Sequence, residues 1–468
     1  MTSSSAPPAP AGAEPAVAQP LSAVRAGPLS GVVTPPGDKS ISHRALLFGA
    51  LAHGETEVFG LLPSEDVVAT AECLRAMGVP IDGADATPDR ATRIHGRGLY
   101  GLCAPEEPLD FGNSGTAVRL MMGVLAGQDF PATLIGDASL SRRPMGRVLD
   151  PLRAMGLQVD QGKNSAADRL PLTVRGPGDL IPISYTLPVA SAQVKSAILL
   201  AGLHAAGETT VIEPVATRDH TERMLRAFGA DLRVEETADG QRITVVGEKS
   251  LQAQTLTVPS DPSSAAFIIA AALMVPGSQV TVRDVLDNPT RNGFVETVIE
   301  MGADVSRTNA RDIGGETVVD LVVRHGPLRG VDVPAGRAPS MIDEYPMLAV
   351  VAATADGTTT MNGLAELRVK ESDRLAMTAA GLAANRVSHE AAEDRLVVSG
   401  CGPRGTIAGG GTVATELDHR IAMAFLVLGC VTDRPVTVDD SRMIATSFPG
   451  FTALMRELGA VIEPGPAS

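Results

Sequence analysis

Cationic and hydroxyl side chains stand at the start of a helix-length apolar stretch in this chain. Lys39, Ser40 and Arg44 lie just before and within its first turn. Two cations at a helix N-terminus oppose the helix dipole and cost stability unless an anion binds there. The free N–H groups of a helix N-terminus also attract phosphate groups. The pattern therefore predicts an anion-binding site.

Five further apolar stretches begin with polar side chains of a similar kind. These side chains are Asn113, Ser114, Gly115 and Arg119; Ser191, Gln193 and Lys195; Asp261 and Ser263; Asp343 and Glu344; and Asp418, His419 and Arg420. In a repeated fold the N-termini would point into one shared space and make it attractive to anions. For Ser263, Asp343 and Asp418 the alternative is simple helix capping, because Ser and Asp are good N-cap residues.

Two charged clusters lie between these stretches. The first packs three arginines into six residues beside a proline, and the second alternates cations with a carboxylate. A solvated salt-bridge face is the alternative for the second cluster, because its members lie within about one helical turn. The members are Arg142, Arg143 and Arg147 in the first cluster, and Lys370, Glu371 and Arg374 in the second.

The elements that must position these residues follow a repeat. Six stretches rich in Ala, Leu, Val and Met are apolar on nearly all sides, which is typical of buried helices. They cover residues 42–48, 116–122, 193–199, 264–269, 344–350 and 419–425. A second series of amphipathic helices runs in phase with the first, and each helix ends at a residue that tolerates left-handed backbone. Those residues are Gly78, Gly156, Gly229, Gly302, Asn385 and Gly459.

Each unit of the repeat therefore carries two helices and at least two strands. One helix has no polar face, so it must lie inside, with the sheets outside. Six copies predict an α/β architecture built by repetition. At 468 residues and 44% hydrophobic content, the chain is long enough for two domains of three units, because single cores stop growing near about 250–300 residues.

Composition and net charge also indicate which classes of binding partner to expect. A net charge of −15 argues against a nucleic-acid surface, which needs clustered Lys and Arg. Aromatic residues make up only 3% of the chain and Trp is absent, so platforms for stacking bases are scarce. No apolar run has the length of a membrane span free of Gly, Pro and charge. We expect no nucleic-acid or membrane partner.

Cysteine usage and the first residues indicate the compartment. Cys73, Cys103, Cys401 and Cys430 are scattered without metal-ligand spacing, so we expect reduced thiols, no metal and a cytoplasmic protein. Residues 1–21 are dominated by Ser, Ala and Pro and predict a disordered tail. They lack the cationic start and apolar centre of a signal peptide.

Seven motifs occur in a fixed order along the chain. They are Pro36-Gly37-Asp38-Lys39-Ser40 with Arg44, Gly112-Asn113-Ser114-Gly115-Thr116 with Arg119, Arg143-Pro144-Met145-Gly146, Ser191-Ala192-Gln193, Val369-Lys370-Glu371-Ser372-Asp373-Arg374-Leu375, Asp418-His419-Arg420 and Ser447-Phe448-Pro449. Together they resemble the 3-phosphoshikimate 1-carboxyvinyltransferase (EPSP synthase) family over about residues 25–462. Any one motif would be weak, but seven in order are specific.

The resemblance implies a fold of two inverse α/β barrel domains, each made of three βαβαββ repeats, with the active site in the cleft between them. The first domain is expected at residues 37–258. The second is expected at residues 22–36 and 259–468, so the chain crosses between the domains twice. This agrees with the repeat deduced from the apolar stretches.

The resemblance also implies the reaction. The enolpyruvyl group of phosphoenolpyruvate passes to the 5-hydroxyl of 3-phosphoshikimate, and phosphate is released. The residues expected at 3-phosphoshikimate are Lys39, Ser40, Arg44, Ser191, Gln193, Arg218, Asp343 and Lys370. The residues expected at phosphoenolpyruvate are Lys39, Gly115, Arg143, Gln193, Arg374 and Arg420. Arg374 and Arg420 form the expected carboxylate clamp, because a guanidinium fork matches a planar carboxylate.

Three of these residues are assigned to the chemistry. Asp343 is the expected base for the 5-hydroxyl and Glu371 the acid that protonates the C3 methylene, although the two roles could be exchanged at different steps. Lys39 stabilises the charge on the departing phosphate. The cations beside Glu371 act to lower its pKa, so its protonated form requires closure and desolvation.

The chain departs from many members of the family at one position. Thr446 stands near the place of a Lys that contacts phosphoenolpyruvate, and Arg218 is a candidate to supply charge to the phosphate of the other substrate. With residues 37–44 and 443–449, this pattern resembles the second sequence class of the family, which includes members tolerant of the inhibitor glyphosate.

Two alternatives remain open on sequence. The other enolpyruvyl transferase acts on UDP-N-acetylglucosamine and uses a Cys on a mobile loop, but the corresponding segment from Asp137 to Arg147 contains no Cys. A non-catalytic protein that binds anions or RNA ends would need a broad basic face and no Glu371. The favoured interpretation is a cofactor-free enzyme that acts as a monomer on two small molecules.

Overall fold

The structure is a computed structural model, and it describes residues 17–85, 90–161 and 168–466. Thirteen α-helices lie in these ranges: α1 Lys39–Leu51, α2 Glu65–Ala76, α3 Gly115–Ala126, α4 Gly146–Ala154, α5 Ala192–Gly202, α6 His220–Ala227, α7 Pro262–Met274, α8 Gly293–Glu300, α9 Ala338–Met341, α10 Tyr345–Ala352, α11 Arg374–Ala384, α12 His419–Gly429 and α13 Phe451–Glu457. Short 3₁₀ helices cover Leu140–Arg142, Ala335–Arg337, Ala365–Val369 and Arg442–Thr446.

The strands alternate with these helices. In the first half they are β1 Leu21–Val24, β2 Ser30–Val33, β3 Ala52–Phe59, β4 Ile81–Asp82, β5 Thr92–Arg97, β6 Leu109–Asp110, β7 Ala132–Ile135, β8 Gln158–Gln161, β9 Leu172–Arg175, β10 Ser184–Thr186, β11 Glu208–Glu213, β12 Leu232–Thr237, β13 Gly240–Val246, β14 Leu251–Gln252 and β15 Thr255–Thr257. In the second half they are β16 Gln279–Leu286, β17 Asp304–Ile313, β18 Glu316–Arg324, β19 Asp332–Val333, β20 Thr358–Asn362, β21 Ser388–Ala391, β22 Arg395–Ser399, β23 Ile407–Gly409, β24 Thr412–Val413, β25 Thr432–Arg434, β26 Val436–Val438 and β27 Val461–Pro464.

The predicted six-fold repeat is confirmed by the sheets. Six sheets of four or five strands each combine one or two parallel strand pairs with antiparallel pairs. The sheet orders are β14-β3-β5-β4 with β15 beside β3, β6-β7-β9-β8, β10-β11-β13-β12, β17-β18-β16-β2, β19-β20-β22-β21 and β24-β26-β1-β27. The parallel pairs in three of them are β6 with β7, β10 with β11, and β19 with β20.

The helices without a polar face lie inside, as expected from their composition. Every residue of α7, α10 and α12 is buried, and so are the apolar parts of α1, α3 and α5. The helices of the second series bury one side only. The apolar helices therefore form the centre of each barrel and the sheets its wall.

The buried apolar side chains form two separate cores. One core draws on residues 41–258 together with Leu286, and the other draws on residues 23–33 and 265–462. Strand β2 joins the second half by pairing with β16, whereas β14 and β15 return to the first half by pairing with β3. On the basis of these cores and pairings we propose the division expected from the sequence, at residues 37–258 for one domain and 22–36 with 259–468 for the other.

The structure corrects two local expectations. Residues 1–16 of the predicted tail lie outside the described residues, but its predicted end at residue 21 is wrong, because Leu21 pairs with Val438 and Pro464 in a sheet. Asn385 was expected to take left-handed backbone at the end of α11. Its φ is −100° and Arg386 takes the left-handed conformation instead, at φ 62°. The Asn385 amide donates to the Gly381 carbonyl oxygen at 3.0 Å, which holds it in the helix.

Two further expectations concern membrane spans and the cysteine thiols. No helix within the described ranges is long and apolar enough to span a membrane. All four cysteines are free, and Cys73 and Cys430 are buried whereas Cys103 and Cys401 are exposed.

Candidate active site

A cavity of about 430 Å³ lies between the two cores and is lined from both. It lies beside the first residues of α1, α3, α5 and α7, so the free N–H groups of several helices face one space. Most of the residues predicted from the sequence line it. They are Lys39, Ser40, Gly115, Arg143, Ser191, Gln193, Arg218, Asp343, Lys370, Glu371 and Arg420.

The start of α1 brings Lys39 into the cavity. Asp38 caps the helix by accepting a hydrogen bond from the Ile41 N–H at 2.8 Å. The Lys39 Nζ atom lies 3.0 Å from the Asp66 Oδ2 atom. Burial raises the pKa of Asp66, although the neighbouring Lys39 opposes the shift. Asp66 was not predicted from the sequence, where it resembles any acidic residue in the first turn of a helix.

Arg44, which was expected at 3-phosphoshikimate, is not among the residues that line the cavity. Its guanidinium is buried and donates to Thr221 Oγ1 and Ser196 Oγ, each at 2.7 Å. It also donates to the Ser40 carbonyl oxygen at 3.0 Å. Burial lowers the pKa of Arg44 to about 10. Through its hydrogen bond to the carbonyl oxygen, Arg44 holds the backbone of Ser40 in position at the cavity.

Lys195 is likewise removed from the cavity. Its ammonium group is completely buried and lies 2.8 Å from Glu213 and 2.6 Å from Glu222. Gln193, two residues earlier, does line the cavity and accepts a hydrogen bond from Arg119 at 3.1 Å. The two residues point to different sides of α5, because two positions along a helix are separated by a rotation of about 200°.

Arg143 reaches the cavity from the arginine-rich segment. Its Nη2 atom donates to Asn113 Oδ1 at 2.5 Å and to Ser139 Oγ at 3.3 Å. Its Nη1 atom lies 3.7 Å from Glu371. A Cβ atom placed on Gly115 would lie 2.9 Å from that same Nη1 atom. The absence of a side chain at Gly115, the first residue of α3, therefore leaves room for the Arg143 guanidinium.

Asp343 lies among cations from both halves of the chain. Its carboxylate is 2.6 Å from Arg218 Nη2, 3.0 Å from Arg374 Nη1 and 3.4 Å from Lys370 Nζ. Burial acts to raise the pKa of Asp343, but the charges of Lys370 and the surrounding arginines outweigh it and hold the pKa well below its usual range. The surrounding cations therefore keep the carboxylate in its ionised form.

Glu371 is partly buried, pairs with Arg374 and lies 3.7 Å from Arg143 Nη1. Burial acts to raise its pKa, whereas the charges of Arg374 and Arg143 hold the pKa well below its usual range. The sequence had predicted this direction. In this arrangement the carboxylate is charged, so it donates a proton only once its cations are compensated by other anions.

The two members of the predicted carboxylate clamp differ. Arg420 lines the cavity, 3.4 Å from the Asp343 carbonyl oxygen. Arg374 is only 1% exposed and lies behind the wall. Its guanidinium already contacts the carboxylates of Asp343, Glu371 and Asp418. Arg374 is therefore paired with carboxylates of the protein, whereas Arg420 is exposed to the cavity.

The alternatives left open for the capping residues are resolved individually. Asp418 does cap its helix, by accepting from the Arg420 N–H at 2.9 Å. Ser263 lies inside α7, after the capping residue Asp261. Asp343 precedes Glu344, which occupies the N-cap position of α10 without a side-chain capping bond. Asp343 therefore does not cap α10, and this agrees with the expectation that its carboxylate takes part in the chemistry.

Thr446 is not among the residues that line the cavity. It is buried, and its hydroxyl donates to the Met443 carbonyl oxygen at 2.7 Å and lies 3.4 Å from His419 Nδ1. Three cavity cations were not on the predicted ligand sets, namely Arg119, Arg147 and Arg291. Arg119 belongs to a quoted motif, but Arg291 lies in a connecting segment without any periodic signal.

Charged pairs join the two halves across the cavity. Besides Arg218 with Asp343 and Arg143 with Glu371, Arg147 in the first half forms a bond to each carboxylate oxygen of Glu366 in the second, at 3.0 and 2.9 Å. The cations of one half therefore meet carboxylates of the other.

A group of Asp219, His220 and Glu316 is close enough together to hold a metal ion. However, Arg223 lies 2.7 Å from Asp219 and 3.5 Å from Glu316. His220 Nδ1 lies 3.0 Å from Glu316. The carboxylates are already compensated within the protein, and we assign no metal to them.

Comparisons with known proteins agree with the fold and identify the family of the chain. A solved enolpyruvyl transferase, NikO from Streptomyces tendae, has the same fold, with a TM-score of 0.74, 18% identity and coverage of 96% of this chain and 100% of that one. The family model for EPSP synthase (3-phosphoshikimate 1-carboxyvinyltransferase) matches residues 24–455. The chain belongs to the EPSP synthase family.

Relatives support the assignment at high identity. The 3-phosphoshikimate 1-carboxyvinyltransferase of Methylorubrum populi is 59% identical over 453 residues, covering 96% of this chain and 98% of that protein. The one from Chelativorans sp. is 58% identical over 436 residues, covering 93% and 96%. A solved EPSP synthase from Acinetobacter baumannii has a TM-score of 0.84 at 44% identity and covers 96% of this chain and 100% of that one.

His43 provides a pH-dependent test of this region. It is buried beneath Lys39, 2.8 Å from Thr70 Oγ1, and burial together with Lys39 and Arg44 lowers its pKa to about 3 from 6.5. As the pH falls through 6.5 the unfolded chain takes up the proton first, so stability is complete above that pH and is lost between 6.5 and 3. Between pH 7.5 and 5.5 the His43→Gln variant should lose about 1.4 kcal/mol less unfolding free energy than the parent.

Urea unfolding at the two pH values measures this difference. His95→Gln, which replaces a half-exposed imidazole on a sheet, controls for the removal of a histidine as such. An equal pH dependence in the parent and His43→Gln would contradict the description of His43 as a buried neutral side chain.

Proposed function

We propose that this chain transfers the 1-carboxyvinyl group of phosphoenolpyruvate to the 5-hydroxyl of 3-phosphoshikimate, giving 5-enolpyruvylshikimate 3-phosphate and phosphate. Family membership supports the reaction. The observation that carries it at the level of residues is the meeting of Lys39, Asp343 and Glu371 in one cavity between the two cores.

The proposed division of the ligands follows the chemistry of the wall. 3-Phosphoshikimate binds on the side of Ser40, Ser191, Gln193, Arg218 and Lys370, where hydroxyl groups and cations suit a phosphate. Arg44 acts on it through the Ser40 backbone. Phosphoenolpyruvate binds on the side of Lys39, Gly115, Arg143, Gln193 and Arg420, where arginine forks suit a carboxylate. Arg374 contributes by holding the carboxylates at that side.

The first chemical step is an addition. Asp343 accepts the proton of the 5-hydroxyl, whose oxygen bonds to C2 of phosphoenolpyruvate, while C3 receives a proton from Glu371 and becomes a methyl group. Glu371 can hold that proton once the anionic groups of phosphoenolpyruvate compensate Arg143 and Lys39, because the cations then no longer depress its pKa. The product of this step is a tetrahedral ketal.

The second step is an elimination. The bond from C2 to the phosphate oxygen breaks, and C3 returns a proton to a carboxylate, which regenerates the double bond. Lys39 stabilises the negative charge on the departing phosphate. The proton left on Asp343 passes to phosphate or water. Each carboxylate thus ends in the form in which it began.

We also propose that the enzyme acts as a monomer in the cytoplasm on these two small molecules, without a nucleic-acid or membrane partner. A single chain supplies residues to the cavity from both of its halves, so no second copy is needed to complete it. Four free cysteines agree with a reducing compartment.

The reaction is tested by measuring phosphate release from phosphoenolpyruvate. Release should depend on 3-phosphoshikimate and should be absent with UDP-N-acetylglucosamine, because the segment from Asp137 to Arg147 lacks the cysteine of the second enzyme type. Release that required the nucleotide sugar would contradict the proposed substrate. A protein that bound both anions without releasing phosphate would be the non-catalytic alternative.

Neutral replacements test the two carboxylates. Asp343→Asn and Glu371→Gln should each lower kcat by about 10²–10⁴-fold, the usual effect of losing a general acid or base. Effects on KM should be smaller, because the amides keep the shape. Glu366→Gln, on the same cavity wall but without a chemical role, is the control. Wild-type kcat in both variants would remove the assignment.

Gly115 tests the phosphoenolpyruvate side. In Gly115→Ala the new methyl group would press on the ends of Arg119 and Arg143, at 2.7 and 2.9 Å. Glyphosate is longer than phosphoenolpyruvate, so the methyl group should weaken the inhibitor more, with a difference of about 1–3 kcal/mol. Inhibition kinetics measure both constants. Gly336→Ala adds a methyl group to the same cavity wall in open space and is the control. An equal change in both constants would exclude Gly115 as the discriminating contact.

A further inference from the structure

The chain crosses between the two cores at two segments that lie side by side. The Asp38 N–H donates to the Pro259 carbonyl oxygen at 2.8 Å, and the Asp261 N–H donates to the Pro36 carbonyl oxygen at 2.9 Å. The two crossover segments, residues 34–38 and 258–261, are therefore hydrogen-bonded to each other. Each segment leads directly into a buried helix, α1 in one half and α7 in the other.

Arg291 lies between the aspartates at the ends of these segments. Its Nη1 atom is 2.8 Å from Asp38 Oδ2, and its Nη2 atom is 2.9 Å from Asp261 Oδ1. Nη2 also donates to Ser263 Oγ at 3.0 Å. The side chain is 2% exposed, so these bonds are made in a region of low dielectric, where they are strong.

Both aspartates are already engaged with their helices. Asp38 caps α1 through the Ile41 N–H, and Asp261 caps α7 through the Ser263 N–H, at 2.8 and 2.9 Å. One guanidinium fork thus fixes two helix starts that belong to different cores. The first residue of α1 is Lys39, so the position of its ammonium group depends on the orientation of that start.

The segment that carries Arg291 is itself anchored. The Asn288 amide donates to Asp219 at 2.7 Å and to Glu316 at 3.2 Å. Asp219 is the neighbour of the cavity residue Arg218 in the first half. Arg291 consequently cannot shift without disturbing contacts on both sides of the crossover, and it is suited to hold the two halves in a defined relation.

We propose that Arg291 is a positioning residue for the transfer reaction. By joining the two crossover segments, it orients the start of α1 so that Lys39 faces the departing phosphate. This role rests on the proposed function, since it acts through Lys39. It predicts an effect on kcat rather than on the binding of 3-phosphoshikimate, whose proposed ligands lie mostly on other segments.

The main test compares Arg291→Met with the parent enzyme. A misplaced catalytic group costs up to about 10²-fold, so kcat should fall about 10–100-fold while KM for 3-phosphoshikimate changes less than about threefold. Arg311→Met is the matched control, because Arg311 also bridges two aspartates, Asp284 and Asp320, outside the cavity. It should keep the kcat of the parent.

The pH profile separates positioning from a general loss of packing. Without Arg291 the buried carboxylates of Asp38 and Asp261 share a proton, and they repel each other as the pH rises and the proton leaves. The kcat of Arg291→Met should therefore fall further at high pH, in a limb that Arg311→Met lacks. Besides Arg291, the charged groups that act on this pair are His220, Arg218, Arg44 and Arg420, and Glu344 and Asp343 act on Arg291 itself.

Two further variants decide the case if Arg291→Met fails to fold. Arg291→Lys keeps a cation but cannot bridge both carboxylates as a fork, so its kcat should fall about 3–10-fold. The double variant Asp38→Asn with Arg291→Met removes the repulsion and should lose the alkaline limb. Parent kcat and pH profile in Arg291→Lys would overturn the proposal. A parent protein that released no phosphate would instead overturn the proposed function.

Discussion

The compensation of buried positive charge by carboxylates is the constraint on which this structure depends. A guanidinium or ammonium group removed from water is costly unless oxygen atoms surround it. Arg374 meets the requirement with three carboxylates and Lys195 with two. Arg291 meets it with the two aspartates of the crossover. Buried cations around the cavity therefore fix the positions of the carboxylates that compensate them.

This constraint links the architecture of the site to its chemistry. Asp343 and Glu371 compensate cations in the structure and are also the groups proposed to move protons. When the anions of the substrates take over that compensation, the same carboxylates become free to change their protonation state. In the proposed mechanism, substrate binding and proton transfer are coupled for this electrostatic reason.

The repeat explains why so many polar groups converge on one place. A helix with no polar face can be buried along its length, but the N–H groups of its first turn still need partners. The side chains of Asp38, Ser114, Ser191, Asp261 and Asp418 each provide one. The remaining demand for negative charge at these ends favours ligands that carry phosphate or carboxylate groups.

The sequence by itself determined the features that rest on local patterns. Apolar stretches of helical length and the residues that end the amphipathic helices indicated six units, and the ordered motifs contained many of the residues that line the cavity. It did not determine which side chains reach a ligand. Arg44, Lys195 and Arg374 are of residue types that bind anions, but each is buried behind the residues that line the cavity and is paired within the protein. Only the tertiary structure decided this, because the partner that satisfies a buried charge can come from any part of the chain. Asp38 and Arg291 lie 253 residues apart in sequence, and no local pattern connects them.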